Sequence, residues 1–88
     1  MPKVLFLNTG FDHYNYWIHH DRKMLDKVIR LLEDIDRNGA DKGIGKSERL
    51  KHQPGWSRRI DQEHRLIYEV TQDKIIKVKS CRGHYDDD

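Results

Sequence analysis

The second half of the chain collects the side-chain types that RNA cleavage without a metal ion requires. RNA can be cut in this way because its own 2′-hydroxyl attacks the neighbouring phosphate. The reaction needs a base for the hydroxyl, an acid for the leaving 5′-oxygen and positive charge for the transition state. Glu or His can act as the base, His or Tyr as the acid, and Arg or Lys as the charge. This composition permits a ribonuclease but does not single one out. The polar residues available are Glu48, Lys51, His52, Arg58, Arg59, Glu63, His64, Arg65, His84 and Tyr85.

Sequence motifs for metal, nucleotide or covalent chemistry are absent. The chain has no Cys-x-x-Cys pair and no His-x-x-x-His spacing, which are usual for zinc sites. His19, His20 and Asp21 are adjacent in sequence, but neighbouring residues of a helix do not face one another. No P-loop and no nucleophile elbow occurs. We therefore expect neither a metal nor another cofactor.

Charge is unevenly distributed along the chain. Residues 42–85 contain 11 Lys or Arg against 5 Asp or Glu, and residues 86–88 are three aspartates. A basic half indicates a polyanionic partner such as nucleic acid, although a run of charge is more often a solvated face. Charge alone therefore leaves RNA binding and simple solvation as alternatives.

The length of 88 residues predicts one domain over residues 1–88, with 86–88 as an acidic tail. No apolar run approaches the ~20 residues that a membrane span needs, and no signal-peptide pattern opens the chain. The single cysteine, Cys81, cannot form an internal disulfide. These features favour a cytoplasmic protein with one reduced, buried thiol and no contact with a membrane.

Apolar periodicity predicts two helices near the N-terminus. A short buried strand at residues 4–7 precedes the first helix, for which Asn8 or Thr9 is the expected N-cap. Asp21 begins the second helix after almost no loop, and Asn38-Gly39 ends it. The residues expected in the core are Tyr14, Trp17 and Ile18 of the first helix and Met24, Leu25, Val28, Ile29, Leu32 and Ile35 of the second.

The rest of the chain has the pattern of short strands joined by turns. Strands are predicted around residues 49–51 and at 56–61, 65–71 and 75–81, and their short links favour antiparallel pairing. The order β-α-α-β-β-β-β predicts an α+β domain. In this fold two N-terminal helices pack on a mostly antiparallel sheet of four to five strands.

Alternation along these strands predicts which side chains face a ligand. Leu66, Tyr68 and Val70 should face the helices, which places Arg65 on the opposite, open face. Arg58 and Arg59 also point to opposite faces. Arg59 is the one expected to meet RNA, because Arg58 shares its parity with Trp56 and Ile60.

Three stretches resemble the YoeB-type toxins of the RelE superfamily. They are residues 43–51 (GIGKSERLK), 56–68 (WSRRIDQEHRLIY) and 81–85 (CRGHY). The run Ser-Arg-Arg-Ile-x-x-Glu-His-Arg-Leu-x-Tyr is long and highly specific, and the resemblance covers essentially residues 3–85. It implies a microbial-ribonuclease-like fold and a ribosome-dependent endoribonuclease. Such an enzyme would cleave messenger RNA at the A-site codon, leave a 2′,3′-cyclic phosphate and a 5′-hydroxyl, and inhibit translation.

The resemblance also implies roles for individual positions. Glu48 would be the general base, Arg65 the clamp on the transition-state charge and His84 the general acid. Tyr85 would position the RNA or support His84. The residues that would line the RNA-binding site around them are Lys51, Arg59 and Glu63.

Partners are implied in the same way. A cognate antitoxin of the YefM type would wrap the toxin with a C-terminal segment that orders on binding. The ribosome and messenger RNA would be the other partners, and toxins of this type also form homodimers.

The sequence departs from the family pattern in four places. Ser47 stands where proline is usual, and Gly83 replaces an aromatic residue before the His-Tyr pair. The loop at 53–55 is shorter than the common version, and residues 86–88 follow where the family commonly ends. These departures leave open a catalytically weak or inactive module that binds the ribosome or RNA and acts mainly within an antitoxin complex.

The alternatives make different predictions. An inactive ribosome-binding module would inhibit translation even after His84→Ala, with no cleaved messenger. A protein-interaction unit, whose main role lies in a DNA-binding complex with its antitoxin, would cause no growth defect when expressed without that partner. The endoribonuclease would lose cleavage on substitution of Glu48, Arg65 or His84 while remaining folded.

Overall fold

The elements follow the predicted order β-α-α-β-β-β-β in a computed structural model that describes residues 1–83. One sheet has the strand order β1-β5-β4-β3-β2, in which β1 pairs parallel to β5 and the other neighbours are antiparallel. The predicted α+β fold is therefore confirmed, with five strands. The elements are β1 (Lys3–Phe6), α1 (Asn8–His20), α2 (Arg22–Asn38), β2 (Glu48–Arg49), β3 (Trp56–Arg59), β4 (Arg65–Val70) and β5 (Ile75–Ser80).

Helix α2 begins and ends at the residues that the sequence predicts. The carboxylate of Asp21 accepts a hydrogen bond from the Met24 N–H at 3.2 Å, which satisfies a free donor of the first turn. At the other end Gly39 has a φ of 96°, and its N–H donates to the Ile35 carbonyl. The predicted apolar stripe is buried, except that Ile29 is only partly covered, and Leu31 joins it. Within residues 1–83 no helix has the length and apolar character that crossing a membrane requires.

Helix α1 differs from the prediction at its start and on one face. Its N-cap is Leu7, and no side chain caps the helix, so the expected cap at Asn8 or Thr9 is wrong. Trp17 is buried in the core as predicted, but Ile18 is 40% exposed. The pattern failed for Ile18 because the buried face of α1 is the one that carries Gly10 and Trp17, and Ile18 lies to the side of it.

A close backbone approach fixes α1 on the sheet. Gly10 is buried, and a Cβ atom at this position would lie 2.5 Å from the carbonyl oxygen of Val78 in β5. Only glycine therefore allows this separation between helix and strand. This contact determines where the later residues of α1 meet the end of β5.

The core lies between the two helices and one face of the sheet. Leu66, Tyr68 and Val78 are fully buried there, and Val70 packs against them, so the predicted inner face of β4 is confirmed. Ile67 is also buried, although its strand alternation places it on the other face. That face is consequently not a uniformly exposed surface.

Arg58 joins the sheet to α2 and to the loop that leads into β2. It is fully buried, and its Nη1 lies 2.5 Å from the Asp34 carboxylate. The guanidinium also donates to the Tyr68 hydroxyl at 2.8 Å and to carbonyl oxygens of loop residues 39–44. Arg58 therefore points to the helix side of the sheet, opposite to Arg59, as the strand alternation predicts. Its role as the centre of a buried polar network was not predicted.

Candidate active site on the open sheet face

The candidate carboxylate is carried by the short edge strand β2. Glu48 lies opposite Ser57 of β3, and Ser57 lies opposite Ile67 of β4. Cross-strand partners of this kind have Cβ atoms about 4.5–5.5 Å apart on the same face. Glu48 is exposed on that face. The sequence had placed the strand one or two residues later, around 49–51, so Glu48 proves to be part of the strand.

Two arginines form the next cross-strand pair on the same face of the sheet. Arg65, the first residue of β4, lies directly opposite Arg59 of β3. Arg65 is half-buried, while Arg59 is exposed. As cross-strand partners the two residues point to the same face, which gives that face two positive charges, and a guanidinium can donate two parallel hydrogen bonds to a phosphate. Arg59 thus lies on the open face, as the strand alternation predicts, and its contact with RNA stays a prediction.

Ser57 lies beside Glu48 in the register and in contact with Arg65. The Arg65 guanidinium donates to the Ser57 hydroxyl at 3.2 Å, and Ser57 is buried between Glu48 and Ile67 in the register. This contact between Ser57 and Arg65 was not predicted from the sequence. The position of Ser57 within the specific run at 56–68 was the available signal.

The turn between β3 and β4 is held by one aspartate. Asp61 accepts hydrogen bonds from the backbone N–H groups of Glu63 and His64 at 2.8 and 2.7 Å. Burial raises the pKa of the Asp61 carboxyl. These hydrogen bonds and the nearby charges of His64 and Lys27 outweigh burial, so the pKa lies below its ordinary 3.8. The turn thereby fixes where β4 begins, and with it the position of Arg65.

The remaining candidates occupy loops around this face. Lys51 is exposed two residues after the end of β2. Glu63 is exposed in the β3–β4 turn, where its carboxylate lies 3.3 Å from His64 Nε2. Both residues therefore lie in loops and not on a strand.

The end of the described chain is tied to the arginine site. The backbone N–H of Arg65 donates to the Gly83 carbonyl at 3.1 Å, and the Gly83 N–H donates to His64 Nδ1 at 2.8 Å. Gly83 has a φ of 87°, a conformation that favours glycine, although a Cβ there would meet no atom within 4 Å. The candidate residues His84 and Tyr85, and the tail 86–88, lie outside the described residues.

Cys81 is the buried thiol that the sequence predicts. It is fully buried, and burial raises the pKa of its thiol to about 12. Such a thiol does not act as a nucleophile near neutral pH. In the described part of the chain, no three His, Cys, Asp or Glu side chains are grouped so that they could hold a metal ion.

The arrangement is suited to a phosphodiester. A carboxylate, two arginines and a hydroxyl share one face of three adjacent strands, and strand spacing of ~4.8 Å separates each pair of neighbours. The arginines can bind a phosphate group, and the carboxylate can accept a proton.

Comparison with known proteins identifies relatives along almost the whole chain. A family model described as a YoeB-like toxin of bacterial type II toxin–antitoxin systems matches residues 6–85. The chain is similar to Toxin YoeB of Escherichia coli strain K12, with 40% identity over 85 residues that cover 94% of this chain and 99% of that protein.

Solved structures agree with the sequence relatives. The fold is similar to a chain of the heterotetrameric YoeB–YefM toxin–antitoxin complex from Staphylococcus aureus. That match has a TM-score of 0.90 and 46% identity, and covers 97% of this chain and 99% of that one. It is also similar to the YoeB dimer from the same organism, with a TM-score of 0.88, 46% identity and coverage of 96% and 98%.

Proposed function

Because the chain belongs to the YoeB-like toxin family of bacterial type II toxin–antitoxin systems, we propose that it is an endoribonuclease that cleaves messenger RNA at the A-site codon of the ribosome. The observation that carries the proposal is the register of the open face. Glu48, Ser57 and the Arg59–Arg65 pair come from three strands yet meet on one surface. The tie between Arg65 and Gly83 supports a role for the residue that follows Gly83.

The proposed reaction is an attack within the RNA. Glu48 takes the proton of the 2′-hydroxyl, and the 2′-oxygen forms a bond to the adjacent phosphorus. Arg65 stabilises the negative charge that develops on the phosphate oxygens. The bond from phosphorus to the 5′-oxygen breaks, and His84 gives its proton to that oxygen. The products are a 2′,3′-cyclic phosphate and a 5′-hydroxyl.

Other residues have supporting roles in this proposal. Arg59 and Lys51 bind the RNA backbone, and Tyr85 supports His84 or stacks on the RNA. Glu63 stands at the rim of the site. No metal takes part, since the attacking group belongs to the substrate and the arginines supply the positive charge.

The partners follow from the same proposal. The S. aureus relative was crystallised with YefM and as a YoeB dimer. We infer that this chain binds a YefM-type antitoxin, which keeps it inactive, and that it also forms a homodimer. Co-expression of the cognate antitoxin should restore growth to cells that express the toxin.

The proposal is tested by mapping the 5′ ends of messenger RNA in a translating extract that contains the purified protein. New ends within A-site codons should appear only with ribosomes. Arg65→Ala should lower the cleavage rate by about 10²–10³-fold, the usual cost of losing a group that stabilises transition-state charge. Glu48→Gln and His84→Ala should lower it by at least about 10²-fold.

Matched substitutions on α2 serve as controls. Arg37→Ala and Glu33→Gln change the same side-chain types at exposed positions of that helix and should leave cleavage unchanged. Cleavage without ribosomes would keep the enzyme and reject its ribosomal setting. Inhibited translation without new ends, from a folded protein, would favour the inactive binding module.

A further inference from the structure

Two histidines accept backbone hydrogen bonds from the segment that leads to the C-terminus. The Cys81 N–H donates to His13 Nδ1 at 3.1 Å, and the Gly83 N–H donates to His64 Nδ1 at 2.8 Å. We propose that His13 and His64 are positioning residues that hold residues 81–83 in place as unprotonated acceptors, and so fix the start of the C-terminal segment at Arg65. The importance of this hold for catalysis rests on the proposed function.

Both backbone groups of each held residue are satisfied by neighbouring elements. Helix α1 holds Cys81, since the Trp17 indole N–H donates to the Cys81 carbonyl at 2.8 Å while His13 accepts from its N–H. The start of β4 holds Gly83, since the Arg65 N–H donates to its carbonyl while His64 accepts from its N–H. Strand β5 ends at Ser80, so these side chains replace sheet hydrogen bonds beyond it.

We call these contacts the histidine clamp. Its α1 half, His13 and Trp17, is in contact with its β4 half, His64 and the Arg65 N–H. The Trp17 and His64 rings pack edge to face with centroids 4.9 Å apart. Between the two anchored residues, the Arg82 guanidinium lies 3.5 Å from the centroid of the Tyr16 ring. Helix α1 therefore contributes three side chains to this segment. It sits close enough to do so because Gly10 allows its approach to β5.

The acceptor role requires a particular protonation state. A neutral imidazole accepts at one nitrogen and donates at the other, whereas an imidazolium donates at both. Accepting at Nδ1 places the proton on Nε2, and the Nε2 of His64 lies 3.3 Å from the Glu63 carboxylate. If either histidine were protonated at Nδ1, its ring N–H would face the backbone N–H that it now accepts from. Two donors cannot form a hydrogen bond, so that half of the clamp would open.

The charges around the clamp keep His13 in its neutral form. Burial lowers the pKa of His13 below 6.5, and the positive charge of Arg82 lowers it further, against the opposing effect of Asp12. Around His64 the charged or titratable groups are Glu63, Asp61 and His13. Since the folded pKa of His13 is depressed, the stabilisation that depends on its neutral form is present above pH 6.5 and is lost as the pH falls below it.

Amide hydrogen exchange measures the clamp without reference to RNA. In the full-length chain at about pH 7.5, the Cys81 and Gly83 amides should be protected. His64→Leu removes the acceptor and should lower the protection of Gly83 by about tenfold, and His13→Leu should do the same for Cys81. The Asn variants retain an acceptor oxygen on Cγ and should keep most of the protection. His19→Leu changes an exposed histidine of α1 and is the control.

A pH series separates positioning from simple packing. Between about pH 7.5 and about pH 5.5 the Cys81 protection factor of the unsubstituted protein should fall, whereas His13→Asn should flatten this dependence because an amide does not titrate in that range. Unchanged protection in both Leu variants would overturn the clamp. The clamp would also be overturned if the Cys81 protection factor fell with pH as steeply in His13→Asn as in the unsubstituted protein.

Cleavage in the translating extract then tests the consequence for the site. The Leu variants should lower the single-turnover rate with little change in ribosome affinity, and the Asn variants should restore it. Loss of protection with an unchanged rate would overturn the positioning role. A protein that cleaves nothing in any form would refute the proposed function, while the exchange data would still decide whether the clamp exists. If a Leu variant fails to fold, the proposal is tested with His13→Asn, His64→Asn and the pH series instead.

Discussion

Arg58 of β3 and Asp34 of α2 form a buried ion pair with 2.5 Å between Nη1 and Oδ2. Every remaining donor of that guanidinium that the structure records is directed to the Tyr68 hydroxyl or to the loop at 39–44. The pair thus joins the helices to the sheet. The other hydrogen bonds of Arg58 hold the loop that precedes Glu48. Burying two charges is tolerable here because each is paired and further hydrogen-bonded.

Removing one partner of this pair should strongly destabilise the protein. Asp34→Ala leaves the Arg58 charge buried without its counter-ion, and the free energy of unfolding should fall by about 3–5 kcal/mol. Urea denaturation measures this change. The neighbouring Arg59→Ala, at an exposed position, should change it by less than about 0.5 kcal/mol. A loss below about 1 kcal/mol for Asp34→Ala would show that the loop carbonyls alone stabilise the guanidinium.

Acid should destabilise the protein through two carboxylates. Burial raises the pKa of Asp34, but hydrogen bonds from Arg58, Ile44 and Asn38 outweigh it, and the net pKa of Asp34, like that of Asp61, lies below 3.8. The folded protein therefore binds fewer protons at these groups than the unfolded chain. The resulting stability is present above pH 3.8 and is lost as the pH falls through the depressed folded values.

The substitution Asp61→Asn isolates one of these contributions. The amide oxygen still accepts the two turn N–H groups but does not titrate. Between about pH 5 and about pH 2 the unfolding free energy should therefore depend less steeply on pH. Asp73→Asn, in an exposed turn, is the control. Equal slopes for Asp61→Asn and the unsubstituted protein would contradict the depressed pKa of Asp61.

The sequence predicted those features that a short-range pattern encodes. The amphipathic period of α2, its Asp21 cap and its Gly39 end are local, and all three are confirmed. Alternation in β4 placed Arg65 and Tyr68 on opposite faces for the same reason. The prediction that Arg58 and Arg59 point to opposite faces was also local, because adjacent residues of a strand alternate between its two faces.

Contacts between distant positions were not predictable in this way. Asp34 and Arg58 are 24 positions apart, and His13 and Cys81 are 68 apart, so no spacing rule connects them. His13 gave no signal because its partner is a backbone N–H group, whose position depends on the completed fold. The apolar spacing of Ile18 was misleading since the surface of α1 that meets β5 is set by Gly10.

Loss of the Ser57 hydroxyl should weaken cleavage without affecting folding greatly. Ser57→Ala removes the hydrogen bond that orients Arg65, a contact that contributes about 1 kcal/mol, so the cleavage rate should fall about fivefold. Thr9→Ala removes a hydroxyl from an exposed position and is the matched control. Because both residues act through one guanidinium, Ser57→Ala combined with Arg65→Ala should be no slower than Arg65→Ala alone. Additive losses would mean that Ser57 contacts the RNA independently.

The Cys81 thiol should report opening of the segment that α1 holds. With a pKa of about 12 and full burial, it should react with dithiobis(nitrobenzoate) near pH 8 far more slowly than the unfolded chain does, at a rate limited by local opening. Trp17→Phe removes the indole donor to the Cys81 carbonyl and should raise the rate about five- to tenfold. Trp56→Phe, on β3 beside Arg49, controls for the loss of an indole elsewhere. If the thiol of the folded protein reacts within about tenfold of the rate in urea, residues 81–83 are not held against α1. The α1 half of the histidine clamp, His13 and Trp17, would then open freely.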